Sequence, residues 1–68
     1  MTAIERAVEL VGGQTALARL IGIQQSNVWH WLNRHNQVPA KFIRAVSKAT
    51  NGLVTVDELL DDHEKTNK

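Results

Sequence analysis

The sequence predicts an all-α fold, a compact bundle of about five short helices, with one domain over residues 1–62 and a frayed polar tail over 63–68. Three observations support this. Apolar residues recur at helical spacing in each segment, capping boxes and glycines mark where segments start and stop, and 68 residues suffice for one domain and no more. A chain of this size buries only roughly 60% of its unfolded surface, so its core is expected to be marginal and a partner copy would help it.

Thr2 followed by Glu5 has the form of a capping box, and Ile4, Ala7, Val8 and Val11 follow at helical spacing, so a first helix is expected from Thr2 to Val11. Gly12-Gly13 stops it. The second helix should run from Gln14 to Ile21, with Leu17, Ala18, Leu20 and Ile21 apolar, and Gly22 ends it with the positive φ that glycine tolerates. The third should run from Gln24 or Gln25 to Asn33, followed by a polar loop, Arg34-His35-Asn36-Gln37. Pro39 suits the first turn of a fourth helix, where a missing N–H costs nothing, and Phe42, Ile43, Val46 and Ala49 give that helix its apolar side until Asn51-Gly52. Thr55 and Glu58 form a second capping-box candidate, predicting a short fifth helix over Val56 to Asp62, although Leu53-Val54-Thr55-Val56 could instead form a strand. No repeat, linker or low-complexity tract interrupts the chain.

The net charge of +1 conceals a segregation. From Gly12 to Gly52 there are five Lys/Arg (Arg19, Arg34, Lys41, Arg44, Lys48) and no Asp or Glu, whereas Asp57 to Glu64 holds five acids. That pattern suits a polyanion-facing middle and a solvated acidic end, although a short sequence can also reach it by chance. The chain has no Cys, and its three His lack the spacing of a zinc motif, so no metal or other cofactor is expected. No basic segment leads into an apolar run and no apolar stretch exceeds four residues, which predicts neither secretion nor a membrane span and suggests the cytoplasm.

Two short helices joined by a tight turn with a single Gly are the sequence form of a helix-turn-helix, whose second helix lies in the DNA major groove. Ala18 provides the small side chain needed where the two helices approach, Gly22 makes the turn, and Leu17, Ile21, Ile23, Val28 and Trp31 form an apolar set that closes the angle. The segment "QTALARLIGIQQSNVWHWLN" resembles the helix-turn-helix of the lambda-repressor-like superfamily. The order of "GGQTALARLIG", "WLN", "VPAKFIRAVSKATNG" and "VTVDEL" is similar to that of small Cro-like phage and prophage regulators, over about Thr2 to Leu60. The resemblance implies a DNA-binding repressor with a double-stranded operator as partner.

At about 100° per residue, Val28, Trp31 and Leu32 cluster on the core side of helix 3, opposite Ser26, His30 and Asn33. Gln25 and Trp29 lie on a flank, and Gln25 gains exposure from its place at the helix N-terminus. The base-reading set is therefore Gln25, Ser26, Trp29 and His30. A Gln amide can bond adenine N6 and N7 together, Ser serves several bases, and His can donate to guanine or to a phosphate; a merely solvated helix face would carry the same residue types. Trp31 belongs to the core stripe, whereas Trp29 either pads the edge of the domain or presses its ring on thymine methyls. Phosphate contacts are expected from Asn27, which faces neither core nor groove centre, and from Gln24, which could otherwise cap the helix. The resemblance adds Gln14, Thr15, Arg34, Asn36 and Lys41, which flank the backbone in such proteins. Arg44 and Lys48 share the Lys41 face, where a solvated surface explains them equally well, as it does Arg19.

One recognition helix reads only a few base pairs, so a homodimer, at least on DNA, is expected to engage half-sites about 34 Å apart. Leu53, Val54, Val56, Leu59 and Leu60 are the candidate interface, unless they close the domain's own core. An enzyme is not expected, nor a small-molecule substrate. Ser26 and His30 are four residues apart and could touch, but no carboxylate in the region orients the His, and a chain of this length offers little room for a water-excluding pocket. The sequence, with this resemblance, thus predicts a sequence-specific transcriptional regulator, a repressor of the Cro type. The alternative is a protein-interaction module, such as an antitoxin or antirepressor, using the same helical surface.

Overall fold

The computed structural model describes residues 2–66, which form five helices, with no strand among them. In chain order they are α1 (Ala3–Val11), α2 (Gln14–Ile21), α3 (Gln25–His30) with a π-helical continuation (Trp31–His35), α4 (Ala40–Ala49) and α5 (Val56–Thr66). Helix α1 packs on α2, α4 and α5, α2 packs on α3 and α4, and α4 packs on α5. Ile4, Leu17, Val28, Val38, Val46, Val54 and Leu59 are fully buried where these elements converge. The expected all-α bundle is the fold observed.

Both capping boxes form. The Thr2 N–H donates to Glu5 Oε1 at 3.0 Å while the Glu5 N–H donates to Thr2 Oγ1 at 3.2 Å, and Thr55 with Glu58 repeats the exchange at 3.0 and 3.1 Å. Between α1 and α2 the chain needs two successive residues of positive φ, Gly12 at 97° and Gly13 at 124°, and the second of these values is open essentially to glycine alone. The turn from α2 to α3 is Gly22-Ile23-Gln24, in which the amides of Gly22 and Ile23 both donate to the Ala18 carbonyl at 2.9 and 3.0 Å.

Three expectations are corrected. Helix 3 does not stop at Asn33, because from Trp31 onward the backbone widens into a π turn that closes when the Asn36 N–H donates to the Trp31 carbonyl. Arg34 and His35, expected in a loop, are therefore helical, and Asn36 ends the turn with a left-handed φ of 53°, a conformation that Asn tolerates better than most residues. Pro39 stands at the N-cap of α4 rather than inside its first turn. The Leu53–Val56 segment forms no strand: the Val54 N–H donates to the buried Thr50 hydroxyl at 3.1 Å and Val56 opens α5.

Helix α5 also continues past the expected Asp62 to Thr66, so residues 63–66 of the anticipated tail are helical, and 67–68 lie outside the described residues. Two contacts hold that end. Asp62, 1% exposed, accepts the α1 amides of Ala3 and Ile4 at 3.0 and 3.1 Å, and the His63 ring Nε2 meets the Val38 carbonyl. The carboxylate lies at the positive end of the α1 dipole, where a negative charge is stabilised.

Candidate nucleic-acid interface

Helix α3 is fastened to the domain on one side only. Val28 is fully buried, Trp31 is 4% exposed with its ring centroid 5.4 Å from that of Phe42, and Leu32 is half-buried. The other side, with Gln25, Ser26, Asn27, Trp29, His30 and Asn33, is exposed. Helical phase thus places all four proposed base-reading residues on the solvent side of one helix. The structure also resolves the position of Trp29: it is 43% exposed, with its ring edge-on to His30 at a centroid distance of 5.4 Å. The two tryptophans stand on opposite faces, one in the core and one presented outward.

The turn brings the start of α2 beside the start of α3. Gln25 Nε2 donates to Gln14 Oε1 at 2.6 Å, so one side-chain hydrogen bond spans the two helices at their exposed ends. This pairing fixes the rotamer of Gln25 while leaving its Oε1 and a second N–H for another partner. Gln14 is half-buried and retains its own amide N–H groups, Thr15 is exposed beside it, and α2 begins at Gly13 with no side-chain cap and no acid in its first turn. Its first turn thus has neither a side-chain cap nor an acid to compete with an anion. Gln24 occupies the N-cap position of α3 without a side-chain capping bond and is exposed.

The cations of the middle segment all reach solvent. Arg19, Arg34, Lys41, Arg44 and Lys48 are all exposed, and the ion pair among the described residues is Arg6 with Glu58 at 2.7 Å, so none of the five is neutralised by a described carboxylate. Arg34 and Asn36 project from the π turn, and Lys41 sits in the first turn of α4 with its Nζ 5.4 Å from the Phe42 ring centroid. Arg44 lies one turn further along α4 and lines a cleft with Val56 of α5. Two acids, Glu5 and Glu9, border the α3 face and share a hollow with Gln14, Leu32 and Asn33. Glu58 is held down to about pKa 2 by the Arg6 guanidinium and the Thr55 amide, and Glu5 is lowered by the Thr2 backbone N–H.

The candidate dimer residues separate. Val54 and Leu59 are fully buried in the chain's own core and Val56 is half-buried against it, so these three close the domain, and Leu53 (64% exposed) and Leu60 (45% exposed) are the ones left on the surface. Two contributors escaped sequence reasoning. Asn33 donates its Nδ2 to the Trp29 carbonyl at 3.0 Å on the exposed side of α3, and Asp62 caps α1 from the far end of the chain. Helical phase placed Asn33 on that side but gave no sign of the bond; no local pattern marks Asp62 among its acidic neighbours.

Residues 4–68 match the model of a family described as bacterial toxin YdaS. The chain belongs to that family. It is also 40% identical over 58 residues to a protein of Escherichia coli (strain K12) named "Putative transcriptional regulator YdaS". This match covers 85% of the chain and 59% of the relative, so the chain spans less than two-thirds of that protein's length. No solved structure matches. The family match runs through the whole α2–turn–α3 unit of this YdaS-family chain and its basic surroundings. No described helix is long and apolar enough to cross a membrane, and no group of three His, Cys, Asp or Glu among the described residues is placed to hold a metal ion.

Proposed function

We propose that this YdaS-family chain is a sequence-specific double-stranded DNA-binding transcriptional regulator that inserts α3 into the major groove, acts in the cytoplasm and catalyses no reaction. The observation that carries the reading is the exposed Gln25, Ser26, Trp29 and His30 face of α3, backed by Val28 and Trp31, in a stretch of chain whose exposed cations have no ion-pair partner among the described residues. The regulatory name of the Escherichia coli relative supports it.

In this mode Gln25, steadied by Gln14, offers its Oε1 to an adenine N6–H and its remaining N–H to N7, which is the bidentate pairing that distinguishes adenine. Ser26 and His30 reach neighbouring base edges, and the Trp29 ring covers thymine methyls. Gln14, Thr15 and the first amides of α2 contact one strand of the backbone, and Arg34, Asn36 and Lys41 the other side, with Gln24, Asn27 and Arg44 at the margins. These contacts set position and affinity and carry no sequence information. Two copies on adjacent half-sites would block polymerase sterically, the action of a Cro-type repressor.

The toxin description of the family leaves room for one further reading, a module that uses the same helical surface on a protein partner, such as an antitoxin or antirepressor. Selection from random duplexes separates the two. The regulator reading expects a defined motif bound with an affinity that falls steeply as salt rises; recovery of no motif, or an affinity indifferent to salt, refutes it.

A further inference from the structure

Neither the core nor the proposed DNA face uses Leu20, which is 61% exposed on α2. It lines a hollow of about 520 Å³ between the C-terminal ends of α2 and α4, together with Ile21, Ala45, Lys48, Ala49 and Asn51. Lys48 and Asn51 also line a second hollow of about 460 Å³ on the α5 side of α4, which Arg44 and Val56 share. The basic edge of α4 therefore runs between two depressions, and neither has an acid in its lining.

The complementary shape occurs on the same chain. Leu60 is 45% exposed on α5, one turn beyond Val56, and Asp57, Asp61 and Glu64, at helical spacings of three, one and four residues and all exposed, flank it along one side. This is an apolar knob bordered by an acidic stripe, opposite in sign to the α4 edge. Two such ridges packed against each other would oppose their acids, and like charges across an interface are strongly unfavourable. A ridge placed against the α4 edge meets opposite charge and an apolar hollow.

We propose that the Leu60 ridge of one copy docks in the Leu20 hollow of a second copy, with the ridge acids facing Lys48. The inference rests on the reading that the chain pairs, and it names the surfaces through which it does so. Two copies related by a two-fold axis would make the contact twice, the ridge of each in the hollow of the other, which closes the pair.

Sedimentation of the full chain without DNA tests it, using Leu20→Asp, which spoils the hollow, and Leu60→Asp, which spoils the ridge. Both positions are exposed, so circular dichroism is expected to show the native fold in each variant. Each variant alone should self-associate at least about tenfold more weakly than the parent chain, a difference of about 1.4 kcal/mol. An equimolar mixture should recover association, because the intact ridge of one fits the intact hollow of the other. Raising the salt should weaken the parent's association. A Leu20→Asp chain that associates like the parent, or a mixture that fails to recover, overturns the ridge-and-hollow contact while leaving pairing itself in place. A parent chain that stays monomeric at about 1 mM overturns it too, and binding of that monomer to a selected operator would show that the DNA-binding reading survives.

Discussion

Replacing Asp62 with alanine removes the carboxylate that caps α1 from the far end of the chain. The first four N–H groups of α1 have no partner within the helix, and the structure accounts for each of them. Ala3 and Ile4 donate to the Asp62 carboxylate from 59 and 58 residues away, Glu5 donates to Thr2 Oγ1, and the N-cap Thr2 donates to Glu5 Oε1 at 3.0 Å. Ala3 is 9% exposed and Ile4 not at all, so their amides lose an acceptor in a place that water reaches poorly. An unsatisfied buried N–H costs about 1–3 kcal/mol, and the vacated space at a helix end admits some water, which places the pair at about 2–4 kcal/mol. A 68-residue domain has about 3–10 kcal/mol in total, so the loss is a large share of it. Urea unfolding followed by far-UV circular dichroism should show it, with Tm lower by about 10–25 °C. Asp62→Asn retains one acceptor and should fall between the two. Below its Tm the alanine variant should bind a selected operator normally, since Asp62 is remote from α3. A loss under about 0.5 kcal/mol for Asp62→Ala would refute the assignment of this carboxylate as the cap of α1.

Other outcomes follow from the same geometry. Gln25→Ala should weaken the preferred site by about 1–3 kcal/mol and relax the preference at one base pair, measured by repeating the selection; an unchanged motif would mean that α3 is not in the groove. Lys41→Ala should weaken all duplexes alike and reduce the slope of log affinity against log salt by about 0.9, read from titrations at several ionic strengths. Trp31→Ala should cost about 3–5 kcal/mol of stability, whereas Trp29→Ala should leave the urea midpoint nearly unchanged and alter DNA binding instead. The folded pKa of Glu58 is depressed from 4.5 to about 2, so its contribution is present above about pH 4.5 and is lost as pH falls from there towards 2. Melting curves across that range should therefore be flatter in Glu58→Gln, with a residual slope from Glu5, which is lowered as well.

The sequence by itself determined those features whose physics is local. The capping boxes at Thr2 and Thr55, the glycine turns and the helical phase of Val28, Trp31 and Leu32 depend on residues three or four positions apart. They were therefore legible, and with them the five helices and the outward side of α3. Tertiary packing decided the rest. The side taken by Trp29 depended on how α3 sits against α2 and α4, because a flank position is compatible with either environment. The π turn at Trp31–His35 and the left-handed Asn36 that closes it set the reach of Arg34, which no propensity encodes. Val54 and Leu59 carry the same apolar signal whether they close a core or face a partner, and burial alone assigned them to the core. Asp62 looked like one acid in a solvated run until α5 came alongside α1, since a contact across 58 or 59 residues leaves no trace in local spacing.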